Sequence, residues 1–244
     1  MKYWLNRILF LIKKNLLFEV LKSHFQHKKQ HQFPMILPLI SIDEIVGMDT
    51  KSFKVIKEEF EDGNISSFEL ECICKIVKNL NPKRVFEIGT YNGRTTVNIA
   101  SNTSAESHIY TLDLPKDEMS NTMLRIKSGE KKFIYKSISG TYFIGTEYES
   151  KISQIYSDSA QFDYTELNNS MDFVFIDGSH SYEYVVSDTK IAMKLLRNGK
   201  GVILWHDYGW NEVIQALNEL HNSDVRFKNL KNIKGTSFGY IKFD

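Results

Sequence analysis

The stretch Arg84-Val85-Phe86-Glu87-Ile88-Gly89-Thr90-Tyr91-Asn92-Gly93-Arg94 decides the fold. RVFEI (84–88) is a short apolar run of strand length; two glycines follow, and a helical pattern begins near Arg94. A strand that passes through a glycine turn into a helix opens a βαβ unit. Gly89 and Gly93 let the backbone turn sharply and approach a ligand without a Cβ clash, with Thr90 and Tyr91 on the same turn. The spacing is GxxxG directly after an acidic residue, not the GxGxxG of dinucleotide folds. A pyrophosphate favours bare amides, whereas a sulfonium cation with an amino-acid tail benefits from a carboxylate such as Glu87. Read alone, the segment favours a ligand loop over an ordinary glycine turn between strand and helix, without excluding the latter.

Working outward, the alternation continues on both sides. Upstream, Ser66 and Glu69 form a capping-box signature, Ile73, Ile76, Val77 and Leu80 recur at helical spacing, and Asn81-Pro82 ends that helix. Downstream, HIYTLDL (108–114) reads as a second strand, KISQIYSDS (151–159) as a third, and MDFVFIDG (171–178) as a fourth, apolar enough to be central. A helix is expected from about Tyr182 to Leu196, ended by Asn198-Gly199. GVILWHD (201–207) is the fifth strand, and Val213, Ile214, Leu217 and Leu220 mark another helix. VRFKNL and TSFGYIKF close the chain as a pair of strands, expected to be antiparallel. Such alternation means a doubly wound α/β sheet whose ligand crevice lies at the carboxyl ends of the strands.

Every polar residue of interest falls at one of those ends. Asp113, followed by Leu114, closes the second strand, where a carboxylate can accept both hydroxyls of a ribose. Asp158-Ser159 closes the third and can meet an adenine amino group, although an Asx turn reads the same way. Asp177 tips the fourth. With Glu87, four acidic groups end four successive strands. His180, three residues past Asp177, and His206-Asp207, at the end of the fifth strand, are expected over the same crevice, and an unperturbed imidazole pKa of about 6.5 suits a general base.

Together VFEIGTYNGRTT, TLDL, SDSAQFD, DFVFIDGSHSYEYVVSDTKIAMKLL and GKGVILWHDY resemble the class I methyltransferases, in particular methyltransferase family 24, over about residues 66–243. DGSHSYEYV and WHDY are the most specific part. The resemblance implies a Rossmann-like seven-stranded sheet, mostly parallel with its last strand antiparallel, and S-adenosyl-L-methionine as methyl donor. It carries Glu87, Gly89 and Gly93 over as the methionine-end loop, Asp113 as the ribose ligand and Asp158 as the adenine contact. Related sugar O-methyltransferases hold a divalent cation through carboxylates at the two central strand ends, with a D-x-x-H histidine as base. Asp177 and Asp207 match two ligand places and His180 the base. Where those relatives carry a further carboxylate, this chain has His206, so metal dependence stays open, and His206 is equally a base without a metal. Two oxygens and an imidazole suit Mn, Zn or Fe better than Mg or Ca. The acceptor expected is a sugar, glycan or small-molecule hydroxyl. Two other readings stand beside it: a nicotinamide-dependent oxidoreductase, against which the missing GxGxxG speaks, and a non-catalytic cofactor-binding or scaffold subunit.

The chain's 244 residues carry a net charge of +1, which gives no bulk bias toward nucleic acid. The charge is unevenly spread: residues 1–31 hold seven Lys/Arg against one Glu, and the remainder 24 against 29. Residues 1–63 are therefore expected as a basic helical extension and connector, and 64–244 as the methyltransferase domain. The longest unbroken apolar run near the start, Ile8 to Ile12, is far short of the about 20 residues a membrane span needs. Peripheral membrane or partner contact through residues 1–31, and self-association, are the readings for that end. Cys72 and Cys74 point to different sides of a helix, which fits neither a bridge nor a shared metal and favours a reducing, cytoplasmic setting. The stretch 115–149 is too long for a plain connection and is expected to be a lid or acceptor-selecting segment with at least one helix.

Overall fold

The computed structural model describes residues 32–47, 51–57 and 59–244. The basic extension expected over residues 1–31 lies outside the described residues. Residues 35–244 form one compact unit, which takes in part of the connector ahead of Gly63-Asn64.

In chain order the elements are β1 (Leu39–Ile40), α1 (Ile42–Val46), α2 (Ser67–Leu80), β2 (Arg84–Ile88), α3 (Arg94–Asn102), β3 (His108–Asp113), α4 (Lys131–Ile134), β4 (Ile152–Tyr156), β5 (Phe173–Ile176), α5 (Tyr182–Leu195), β6 (Gly201–Trp205), α6 (Asn211–Ser223), β7 (Lys231–Ile233) and β8 (Gly239–Phe243). The strands make a single sheet in the order β1-β7-β8-β6-β5-β2-β3-β4. All pairings are parallel except those of β8 with β6 and β7. The sheet is thus Rossmann-like, with one antiparallel strand. Its eighth strand, beyond the seven expected, is β1, which comes from the connector and pairs with β7 at the edge.

Strand parity distributes the core. Val85, Ile109, Phe173, Phe175, Val202 and Leu204 pack in one buried cluster with Ile73, Ile76 and Val77 of α2 and Ile99 of α3. The intervening residues Val174 and Ile203 are equally buried, and the Trp205 indole donates to Thr189 Oγ1 on α5, so the second face lies under α5. Each fully buried Val, Leu, Ile or Phe contributes about 1.5–3 kcal/mol. α2 starts as its capping box demands: Glu69 N donates to Ser66 Oγ at 3.3 Å, and Ser66 N to Glu69 Oε2 at 3.0 Å. It stops at Asn81, whose left-handed backbone precedes Pro82.

Two local expectations fail for tertiary reasons. SFKVIKEEF (52–60) reads as a helical piece, but its described residues are not helical. Their backbone groups are taken by side chains of α3: Asn102 bonds both Lys54 N and O, Asn98 both Ile56 N and O, and Arg94 Nε donates to Lys57 O. VRFKNL (225–230) reads as a strand, but Val225–Phe227 is a 3-10 turn after Asp224, and the strand starts only at Lys231.

Candidate active site

The sheet reverses its winding between β2 and β5, and the crevice opens at their carboxyl ends, where ligands bind in such sheets. The cleft has a volume of about 340 Å³, within the range of small-molecule sites. Gly89, Thr90 and Tyr91 line it after β2, Asp113 at the end of β3 with Leu114 behind it, Asp158 and Ser159 after β4, Asp177 and His180 after β5, and His206 and Asp207 after β6. The strap between β3 and β4 closes one side with Ile126, Glu130, Phe133, Ile134 and Lys136.

Gly89 stands where the chain needs a glycine twice over: its φ is +98°, and a Cβ would run into the carbonyl oxygen of Asp177, just past the end of the neighbouring strand β5. At the β3 end, the Asp113 carboxylate is buried, accepts from Ser139 Oγ and pairs with Lys136 Nζ at 2.8 Å. Burial raises its pKa, and Lys136 works against that rise. At the β4 end, Asp158 accepts from Met123 N (2.8 Å), Ala160 N (2.9 Å), Gln161 Nε2 (3.0 Å) and Tyr184 OH (2.8 Å). Four donors fill the acceptor capacity of one carboxylate.

The β5 and β6 ends form a compact ionic cluster. His206 Nδ1 lies 2.9 Å from Asp177 Oδ1 and 3.0 Å from Asp207 Oδ2, and its Nε2 is 3.5 Å from Glu69 Oε2. His180 Nε2 is 2.5 Å from Asp207 Oδ2, and His180 Nδ1 is 2.7 Å from Glu130 Oε1. Trp210 stacks on the His180 ring at 5.0 Å and donates its indole N–H to Asp207 Oδ1. Asp207 adopts a left-handed backbone, φ +61°, which aspartate tolerates. Burial disfavours a charged His180, but hydrogen bonds to Asp207 and Glu130 outweigh it and push its pKa up to about 10. His206 is raised too, burial being overcome by Asp207 and Asp177. Burial opposes ionisation of Asp207 and Glu69, yet the neighbouring imidazoles hold Asp207 well below the usual carboxylate range and Glu69 at about 2. Asp177, His206 and Asp207 each offer one atom within 4.8 Å of the others, a spacing that can hold a metal ion.

A family described as a methyltransferase domain matches residues 86–208, just over half of the chain. The chain belongs to this methyltransferase family. No curated protein matches it. Among solved structures, the methyltransferase PaMTH1 of Podospora anserina, determined with SAH, aligns with a TM-score of 0.52 at 17% identity, over 75% of this chain and 81% of that one. The O-methyltransferase TomG of Streptomyces achromogenes, involved in tomaymycin synthesis and determined with SAM, aligns with a TM-score of 0.55 at 11% identity, over 81% of this chain and 93% of that one. At such identities the likeness is one of fold.

Two of the residues expected at this methyltransferase's cofactor loop do not line the cleft. Glu87 is fully buried beneath it, on the α3 side of β2, where Oε2 accepts from Thr96 Oγ1 at 2.5 Å and Thr111 Oγ1 at 2.6 Å. Burial pushes its pKa up to about 8, so it is a neutral acid at pH 7 and not a counter-charge for a sulfonium. Gly93 starts α3 with φ +81°, and a Cβ there would come within 2.8 Å of Gly140 Cα and the Phe143 ring. Its lack of a side chain serves the packing of the strap.

The site also contains residues that sequence reasoning passed over. Glu69 was legible as a helix cap, yet its second oxygen also accepts from Ser237 N and Oγ, and the carboxylate faces His206. Glu130, Lys136 and Trp210 sit in segments without strand or helix periodicity, so no pattern points to them. Among the described residues, no helix is long and apolar enough to cross a membrane.

Proposed function

We propose that this methyltransferase moves a methyl group from S-adenosyl-L-methionine to a hydroxyl of a small molecule, with sugars and glycans the first acceptor class to test. One observation carries the reading: a ribose-type carboxylate, Asp113, and the His180–Asp207–His206–Asp177 cluster line a single cleft.

The cleft fits the donor. Ile88, Leu112 and Leu114 supply apolar wall, Gly89 keeps the first turn close to the sheet, and Asp113 presents a buried carboxylate. Asp113 would accept the ribose hydroxyls in exchange for part of its bonding to Lys136 and Ser139. Asp158, whose oxygens are already filled, shapes the adenine end by ordering the turn that carries Ser159. S-adenosyl-L-methionine supplies an electrophilic methyl on a positive sulfur. The protein's part is to align the acceptor oxygen and remove its proton. His180 is the base once the bound acceptor takes the place of Asp207 at Nε2; without it the ring is held between Asp207 and Glu130, whose carboxylates keep it protonated at pH 7. Trp210, half-exposed beside that ring, offers an apolar face to a sugar or aromatic acceptor.

A divalent cation fits the donor set of Asp177, His206 Nδ1 and Asp207, where a proton on His206 otherwise balances the two carboxylates. Such an ion would supply Lewis-acid stabilisation of the acceptor oxyanion, and the imidazole favours Mn, Zn or Fe over Mg or Ca. The test is transfer of a labelled methyl from the donor to a panel of glycosides, nucleotide sugars and phenols, with and without Mn²⁺. Acceptor-dependent label incorporation supports the reading. A protein that binds the donor product but labels no hydroxyl in the panel counts for a binding or scaffold role instead.

A further inference from the structure

The strap between β3 and β4 brings a cation to the β3 end of the cleft, where Lys136 stands beside Asp113. That part of the strap is pinned to the turn after β2: Gly140 N donates to Tyr91 O and Tyr142 N to Asn92 O, each at 2.9 Å. Among the described residues Lys136 is the only Lys or Arg that lines the cleft. Its Nζ lies 2.8 Å from Asp113 Oδ2 and donates to Phe133 O at 2.9 Å. Ser139 Oγ donates to the same Oδ2, and the backbone N–H of Tyr91 is hydrogen-bonded to the carboxylate as well. The side chains of Lys136 and Asp113 are both mostly buried.

The hydrogen-bonding capacity of this end is small. An ionised carboxyl has about four lone-pair sites, and Lys136, Ser139 and Tyr91 take three of those on Asp113. The Lys136 ammonium carries three N–H groups, as any lysine does, and Asp113 and Phe133 take two of them. One acceptor site and one N–H remain, whereas a ribose brings two neighbouring hydroxyls that each donate and accept. A hydroxyl that displaced Lys136 outright would strand a mostly buried ammonium. One that accepts from Lys136 strands nothing. We infer that Lys136 binds the methyl donor directly, its ammonium donating to the oxygen of one ribose hydroxyl beside the carboxylate of Asp113. The inference rests on the cleft being the site of S-adenosyl-L-methionine. It makes ribose recognition the work of a Lys–Asp pair, and gives the strap as well as the sheet a share in holding the methyl donor.

A purely electrostatic alternative exists on the same contacts, since Lys136 also favours the charged form of Asp113. The two are separated by isothermal titration of the full chain with S-adenosylhomocysteine and with its 2′-deoxy and 3′-deoxy analogues. Wild type is compared with Lys136→Met, and Lys136→Ala serves as a second variant. In the wild type each missing hydroxyl should cost at least about tenfold in affinity, because each bonds a charged group. Lys136→Met should weaken S-adenosylhomocysteine by at least about tenfold on the same ground. In that variant the penalty for one missing hydroxyl should shrink at least about fivefold, while that for the other stays within about twofold of its wild-type value. Unchanged affinity in both variants overturns the inference. So does an equal fall in both hydroxyl penalties, which would mean that Lys136 acts only through the charge on Asp113. Adenosine and its two deoxy forms carry the ribose without the methionine end and are titrated beside them. The hydroxyl pattern on adenosine without binding of S-adenosylhomocysteine leaves the Lys136 contact standing and removes the methyl-donor reading; no binding of either ligand overturns both.

Discussion

Replacing Glu87 with Gln should change how stability depends on pH, and the size of the change follows from where the carboxyl sits. Glu87 is fully buried, holds two threonine hydroxyls through Oε2, and leaves Oε1 without a partner. Its midpoint moves from 4.5 to about 8 in the folded chain, mainly through burial. Between those values the unfolded chain has lost the proton and the folded chain keeps it, so folding is progressively disfavoured as pH rises. At about 1.4 kcal/mol per pH unit, the group costs the wild type about 4 kcal/mol of stability between pH 5 and pH 8. Gln keeps an oxygen for the two threonines and does not titrate; any fixed cost of its buried amide is the same at every pH. The stability of Glu87→Gln relative to wild type should therefore rise by about 4 kcal/mol from pH 5 to pH 8, read from urea unfolding at several pH values. Because the carboxyl does not line the cleft, S-adenosylhomocysteine affinity should stay within about twofold, about 0.4 kcal/mol. A difference between variant and wild type that stays flat to within about 1 kcal/mol across that range refutes a neutral, buried Glu87.

Three further outcomes are expected. His180→Ala and Asp207→Ala should abolish methyl transfer while leaving S-adenosylhomocysteine binding within a few fold, checked by labelled-methyl assay and calorimetry; unchanged turnover in both would place the chemistry elsewhere. Gly89→Ala should cost about 3 kcal/mol or more, because it combines a positive φ with a clash against backbone, and a melting temperature near wild type would contradict the close approach of the Asp177 carbonyl to Gly89. Mn²⁺ should bind the wild-type chain and lose at least about tenfold in affinity in Asp177→Asn, seen by electron paramagnetic resonance, since removing one of three ligands costs at least about 1.4 kcal/mol.

The fold was readable in the sequence wherever apolar runs and helical periodicity coincided with burial on a known face. β5 is buried at every residue and so appears as the unbroken run FVFI; α2 announces itself through Ser66 and Glu69. The run 52–60 misled because its periodicity is real but its backbone is captured by Asn98, Asn102 and Arg94, a competition no local pattern reveals. Residues at strand ends could be gathered into one cleft by the topology alone, and Asp113, Asp158, Asp177, His180, His206 and Asp207 do line it. Glu87 shows the limit of that rule: it lies one residue before the strand's last position, so parity turns it under α3 instead of toward the opening. Glu130 and Lys136 reach the cleft only because the irregular strap folds back across it, and their partners His180 and Asp113 lie 50 and 23 positions away in the chain.

Isothermal titration of the full chain and of Asp113→Ala with S-adenosylhomocysteine, with NAD as the control ligand, puts the donor cleft to trial. Saturable binding of one S-adenosylhomocysteine per chain should weaken at least about tenfold in Asp113→Ala, a hydrogen bond to a charged acceptor being worth about 1.5–3 kcal/mol, while NAD gives no heat. Heat from NAD that vanishes in Asp113→Ala, or no response to S-adenosylhomocysteine from the wild-type chain, would contradict a methyl-donor site at the carboxyl ends of β2 and β3.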